Sequence, residues 1–334
     1  MMKGFLIFSA LVMAVCLIGC QQEEPAIRSS DNMLNGIFSV SATTKVRFSR
    51  GNLQYRASTD TWRFAEHQWD IVGMGYCQTD DRNLCYIGGT VTDGDNRQIS
   101  SSYDGWIDLF GWATSGWDNT EDDPYAVNYN PWSILPTNLN VAYNPYGFGP
   151  STNQPDTNLT GESANYDWGC NQIGEDAPRT WRTLTNDEWY YLLFTRKDAA
   201  NKYGAAKVNG ITGVVILSDD WKKPVACSFT AGMNGTGDMY EPWQVATSNI
   251  YSTEQWGGME NAGAVFLPCA GFRLSYPIYY GSTIYIVGVS GGYWSSTAKG
   301  GYGAYYLFFA NSSIDPLSSD GRHYGRSVRL VSEL

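Results

Sequence analysis

The chain has 334 residues, of which 36 are Gly, 15% are aromatic and 16% are charged, with a formal charge of −11. So little charge beside so many Tyr and Trp excludes a disordered chain and points to a β-rich, loop-rich domain. No cluster of Lys and Arg stands against the acidic balance, which excludes phosphate-backbone recognition, so no nucleic acid partner is expected.

The chain begins with Lys3 and an apolar run from Phe5 to Ile18. That run is shorter than the ~20 residues of a permanent membrane helix. It has the length of the apolar part of an export signal. It ends in Leu17-Ile18-Gly19-Cys20, which resembles the lipobox of bacterial lipoproteins. The resemblance implies a signal peptide over 1–19, cut before Cys20, and acyl chains on Cys20. Several such chains, at roughly 0.8 kcal/mol per buried CH₂, hold a protein firmly to a membrane. Gln21-Gln22-Glu23-Glu24 is similar to the acidic export tags of Bacteroidetes surface lipoproteins. That implies an outer-membrane protein displayed at the cell surface. Residues 20–35 are then the lipidated Cys and a polar tether with Pro25, and 36–334 a single domain.

Short strands are predicted over 36–72, where Phe38 and Val40 alternate with Ser39 and Ser41, Val46 and Phe48 with Lys45 and Arg47, and Trp62 and Phe64 repeat the pattern. Residues 74–160 are dense in Gly, Asn, Asp and Pro. Their Trp106, Trp112, Trp117 and Trp132 predict an irregular stretch packed by its own side chains. Thr185-Asn186-Asp187-Glu188 is a capping box opening a helix with Trp189, Leu192 and Leu193 on one face. Arg196 and Lys197 suit its C-terminal dipole. A second helix runs from Ser252, with Gln255 as box partner, to Asn261, and Gly263 stops it. Val214–Leu217 reads as a buried strand, followed by strands at Val265–Pro268, around 284–287, at Tyr305–Phe309 and at Ser327–Val331. Two predicted helices among short strands and long loops make the fold class α+β.

Of seven Cys, five remain after processing: Cys77, Cys85, Cys170, Cys227 and Cys269. Export permits disulfides, and Cys77 with Cys85 across a short polar loop is the candidate pair. The other three read as small buried hydrophobes. With only His67 and His323 and no C-x-x-C, no zinc site is expected. No cofactor is expected. Asp93, Asp95 and the acidic run Asp118–Asp123 offer oxygen ligands for Ca²⁺, but without a diagnostic spacing. The pairs Asp122-Asp123 and Asp219-Asp220 read as solvated caps, and no nucleophile-elbow, zincin or phosphate-loop motif is present.

Five segments together carry a resemblance: Trp181–Trp189, Val265–Arg273, Gly292–Thr297, Ala304–Phe309 and Gly325–Val331. They resemble a family of Bacteroidetes and Fibrobacter surface proteins whose C-terminal region is related to the formylglycine-generating (sulfatase-modifying) variant of the C-type lectin fold. The resemblance spans roughly residues 36–334 and implies two helices, short mixed or antiparallel sheets and long irregular loops. The enzymes of that superfamily bind copper through a Cys pair near the C-terminal end of the domain. No Cys follows Cys269 here, so their oxidase chemistry does not carry over and no enzyme activity is expected.

The fold implies a ligand surface near the C-terminus. Tyr302, Tyr305, Asn311, Ser313, Asp315, Asp320, Arg322, His323 and Tyr324 have the Tyr/Ser/Asn character of antibody binding loops, where Tyr gives rigid amphipathic contact and short polar residues adapt. Residues 311–324 are expected to be loop, and Trp294 a buried structural Trp. Tyr305, Leu307 and Phe309 are expected on one face of a strand, Tyr306 and Phe308 on the other. The expected function is surface binding of a glycan or protein ligand. A structural or adhesin-tip component of a surface fibre and an enzyme of unrecognised class are the alternatives. Some lectin-fold relatives are diversified by retroelements that mutate adenines, and 302–324 is rich in the residues such mutation yields. An adenine-rich template and a reverse transcriptase in the flanking DNA would be its mark.

Overall fold

The alternation read over the first segments becomes real strands. A computed structural model describes residues 32–72, 91–92, 94–96, 100–117, 130–131, 157–235, 243–276, 281–300 and 303–334. Cys20, Cys77, Cys85, Asp93, Asp118–Asp123, Trp132 and Tyr302 lie outside these residues. β1 (Phe38–Ser39), β2 (Lys45–Phe48), β3 (Leu53–Arg56), β4 (Thr61–Phe64) and β5 (Ile71–Val72) follow one another closely. In β2 and β4 every second residue (Val46, Phe48, Trp62, Phe64) is buried, while Lys45 and Thr61 face water. β6 (Val91–Thr92) pairs in parallel with β5, and β7 (Trp106–Ile107) pairs with β3.

The capping box forms as predicted. Thr185 Oγ1 accepts from the Glu188 N–H at 3.1 Å, and Glu188 accepts from the Thr185 N–H at 2.9 Å. It opens α1 (Asn186–Tyr190), which widens into one π turn over Tyr191–Thr195. Arg196 does more than face the helix dipole: it is buried and donates from Nε to the Leu192 carbonyl at 2.7 Å. It also donates to the Leu217 carbonyl at 2.8 Å and to Asp219 Oδ1 at 3.0 Å. Asp219 is thus no solvated cap. Its other oxygen accepts from the N–H and hydroxyl of Ser39, at 2.8 and 2.6 Å. These bonds and the Arg196 cation hold its carboxyl below the ordinary range, against the opposing effect of burial.

β8 (Tyr203–Val208), β9 (Ile211–Ile216), β10 (Ile250–Tyr251), α2 (Thr253–Asn261) and β11 (Val265–Pro268) come next. Ser252 and Gln255 make the second capping box, and Gly263, at φ 92°, takes the chain out of α2. The strands form one sheet in the order β10-β8-β9-β11. Both faces of this sheet are covered, which explains the unbroken apolar run of β9. Val214, Ile216, Val265 and Leu267 enter a core with Phe38, Phe48 and Trp189. Val215 and Phe266 enter another with Trp256 and Met259. Each such side chain contributes about 1.5–3 kcal/mol on burial.

The chain closes with β12 (Phe272–Tyr276), β13 (Gly281–Tyr285), β14 (Ser290–Lys299), β15 (Gly303–Ala310), β16 (Ser313–Gly321) and β17 (Val331–Glu333). β12 pairs with β13, β14-β15-β16 form an antiparallel sheet, and β17 joins β1 and β2 in the order β1-β2-β17. The expected alternation of β15 holds: Leu307 and Phe309 face the Phe38 core, Ala304 and Tyr306 the core around Trp112, Trp168 and Trp294. Two strand expectations shift. The one around 284–287 lies at Gly281–Tyr285, and of Ser327–Val331 only the end becomes strand, because Arg326 and Ser327 make single bridges to Phe110 and Tyr293 instead. Small sheets, few short helices and long connections make this an α+β architecture.

Irregular backbone near the site is held by a buried polar network. Asn96 accepts from the Asp108 and Leu109 N–H groups, donates to Asp108 Oδ1 at 2.7 Å, and its carbonyl accepts from Arg273. Burial pushes Asp108 up to about 6, although these hydrogen bonds and the Arg273 cation favour its charged form. Trp106 is likewise packed by its neighbours, between the guanidinium groups of Arg56 and Arg63. No helix among the described residues is long and apolar enough to cross a membrane.

Candidate ligand-binding surface

The segment expected as a loop over 311–324 is mostly strand. β16 runs antiparallel to β15, with Ser319 opposite Tyr305 and Asp320 opposite Ala304. Its Ser, Asp, Pro and Gly content reads as turn, yet an irregularity between Tyr306 and Phe308 absorbs Pro316, which has no N–H to donate. Asp315 stabilises that irregularity: Oδ1 accepts from the Leu317 N–H at 2.9 Å and Oδ2 from the Ser318 hydroxyl at 2.7 Å.

A strand cannot gather all the expected site residues in one place. At ~3.3 Å per residue, Ser313 and Asp320 stand roughly 20–25 Å apart. Asn311 and Ser313 lie at the β15–β16 turn, Asp315 beside them, and Asp320, His323 and Tyr324 at the far end. Two expected ligand contacts are corrected. Asn311 is buried, with its Oδ1 accepting from the Gln244 N–H at 3.2 Å. Arg322 is buried against Trp112, 4.4 Å from its ring centroid, and donates to the carbonyls of Gly303 and Gly300. Both hold backbone in place and present nothing to a ligand. Tyr305 is half-buried at the far end, under the Lys299 ammonium, which also donates to Ser319 Oγ at 2.8 Å.

That far end carries a surface assembled from three segments. His323 stacks on Tyr324 with centroids 4.5 Å apart, Tyr324 meets Phe272 edge-on at 5.9 Å, and Phe272 stacks on Tyr285 at 5.5 Å. All four rings are half-buried. Phe272 and Tyr285 are opposite each other in the β12–β13 pair, and reciprocal bonds between Arg273 and Gly325 dock β12 against the turn bearing Tyr324. The sequence reading omitted Phe272 and Tyr285; their pairing follows only once β12 and β13 are placed in register.

Beneath the rings lies Arg326. Its guanidinium sits 3.6 Å from the Tyr306 centroid, 5.5 Å from those of Phe272 and Trp294, and 5.8 Å from that of Tyr324. It donates to Asp320 Oδ2 at 2.6 Å, and its side chain is 5% exposed against 34% for Asp320. Gly292 makes room for it, since a Cβ there would come within 2.6 Å of Arg326 Nη1. Trp294 is buried as expected, donating from Nε1 to the Phe110 carbonyl at 2.7 Å. Burial draws the His323 pKa below its usual value, with Asp320 opposing, which favours the neutral ring. Four half-open rings beside one partly open carboxylate can stack on an apolar face and accept hydrogen bonds at its edge.

Among the described residues no group of three or more His, Cys, Asp or Glu stands ready to hold a metal ion. Cys227 and Cys269 are buried as small apolar side chains, and burial raises both thiols. Cys170 is only partly buried, with its Sγ donating to the Asn165 carbonyl. Comparison with family models, with curated proteins and with solved structures finds no match to this chain.

Proposed function

We propose that this chain is a lipid-anchored outer-membrane protein that displays a non-enzymatic binding domain at the cell surface. Its ligand is a glycan or a protein, and the aromatic surface favours a glycan. The observation that carries the reading is the row Tyr285–Phe272–Tyr324–His323 beside Asp320. A pyranose has an apolar face and a hydroxyl rim, and half-buried rings next to a carboxylate match both. In the same proposal the α+β domain is a C-type-lectin-like fold of the formylglycine-generating type. That rests on the five sequence segments named above. Cys20 is the anchor, resting on the lipobox-like Leu17–Cys20.

A glycan array and a pull-down with the full chain test the binding, using wild type and a Phe272→Ala/His323→Ala/Tyr324→Ala variant. Loss of the wild-type signal in the variant supports the surface. An unchanged signal overturns it, and turnover of an arrayed polysaccharide overturns the non-enzymatic reading. Cys20→Ala is expected to release the protein from the membrane fraction. Retention there overturns the anchor.

A further inference from the structure

A second feature lies away from the β14–β16 sheet. The 3₁₀ turn Ala199–Asn201, the chain leaving β9 and the segment through Phe229 line a half-open cavity of about 190 Å³. This is smaller than the ~300–1,000 Å³ of drug-sized sites and suits one small ring. Its apolar wall is Trp221, set edge-on to Phe229 at 6.2 Å. Its polar wall is Asp198, Asn201, Lys202 and Lys223.

Lys202 is built into this wall. Its ammonium donates to the carbonyls of Ser218 at 3.1 Å and Asp219 at 2.5 Å. An ammonium has three donors, and these two bonds fix its position in the lining. Burial and the nearby Arg196 lower its pKa, with Asp219, Asp198 and Asp220 opposing, so a further acceptor at this nitrogen favours the charged form. Asp198 and Asn201 are exposed on the rim, where they add a carboxylate acceptor and an amide that both donates and accepts.

The site therefore brings the Trp221 ring together with mixed donors and acceptors in one lining. A purely apolar ligand would leave the Lys202 and Asn201 groups without a use, and an anion of several charges would meet the Asp198 carboxylate as well as the Lys202 and Lys223 ammonium groups. A ring with one apolar face and several hydroxyls can use the aromatic ring and the mixed polar groups together. We infer that this cavity is a binding site for a single pyranose ring, such as the end residue of a saccharide, stacked on Trp221 and hydrogen-bonded by Lys202, Asn201 and Asp198. The inference does not rest on the aromatic surface at the C-terminal sheet, which would be a separate site.

The test is a calorimetric titration of the full chain in detergent with glucose, galactose, N-acetylglucosamine and glucuronic acid, using wild type and three variants. Trp221→Ala is expected to weaken binding about tenfold or more, the scale on which loss of an aromatic anchor registers. Asn201→Ala, at an exposed position that leaves the core untouched, is expected to weaken it several-fold. The Phe272→Ala/His323→Ala/Tyr324→Ala variant is expected to keep it, which separates this site from the other. No binding of any of the four sugars by wild type overturns the inference. So does binding that Trp221→Ala and Asn201→Ala both leave intact.

Discussion

Substituting Asp320→Ala removes the carboxylate paired with Arg326 and leaves the cation in place. Among the described residues no other ion pair reaches Arg326, and its Nε has no hydrogen-bond partner. Breaking a fully buried pair from one side costs about 3–5 kcal/mol. Two features reduce that here. Asp320 is 34% exposed, so part of its attraction is already screened by water. The Tyr306 face at 3.6 Å still holds the cation, a desolvated contact worth up to ~2 kcal/mol. The expected loss is about 2 kcal/mol. Urea unfolding of the full chain, followed by Trp fluorescence, measures it, and Trp294 lies close enough to report locally. Pairing Asp320→Ala with Arg326→Met, which removes the stranded charge but keeps apolar bulk, is expected to recover about half or more of the loss. Stability of Asp320→Ala within ~0.5 kcal/mol of wild type would refute the idea that Asp320 compensates a buried cation.

Three further outcomes are expected. Asp219 is held with a lowered pKa by Ser39 and Arg196; its contribution is therefore complete above the unfolded carboxylate pKa of ~3.9 and lost as pH falls through the lower folded value. Asp219→Asn is expected to flatten that acid-side decline in a series of unfolding curves; an unaltered slope would count against the pair. Thr185→Ala deletes the N-cap acceptor of α1 and is expected to cost ~1 kcal/mol in the same unfolding assay, whereas Thr185→Ser should cost little. Gly291→Ala would drive a Cβ into the Phe309 ring and is expected to cost ~1–3 kcal/mol through overpacking; unchanged stability would mean that β14 can move away.

The parts legible in the sequence were those governed by neighbours a few residues apart. Both capping boxes, the stop at Gly263 and the exchange of faces along β15 depend on local spacing, and they form as read. The parts that were not legible depend on residues far along the chain. β16 has the composition of a turn, and it is strand because β15 offers it a ladder. Asn311 and Arg322 have polar side chains suited to a ligand, but nearby backbone groups already claim them. Phe272 and Tyr285 reach Tyr324 only through the docking of β12 on the final turn, which no periodicity encodes.

The sheet β1-β2-β17 has a consequence for when this protein can fold. β2 is flanked on one side by a strand just before it and on the other by one formed almost three hundred residues later, with Val331 opposite Phe48. Val331 also bridges Arg182 and belongs to the core that holds Phe38, Phe48 and Trp189. Closure over such sequence separation is slow, and until β17 arrives that core has an open side. A growing chain would hold Phe38 and Phe48 partly exposed through nearly its whole synthesis, a state prone to aggregation unless something shields it. How soon the last strand arrives then bears on how much of the protein reaches its folded form.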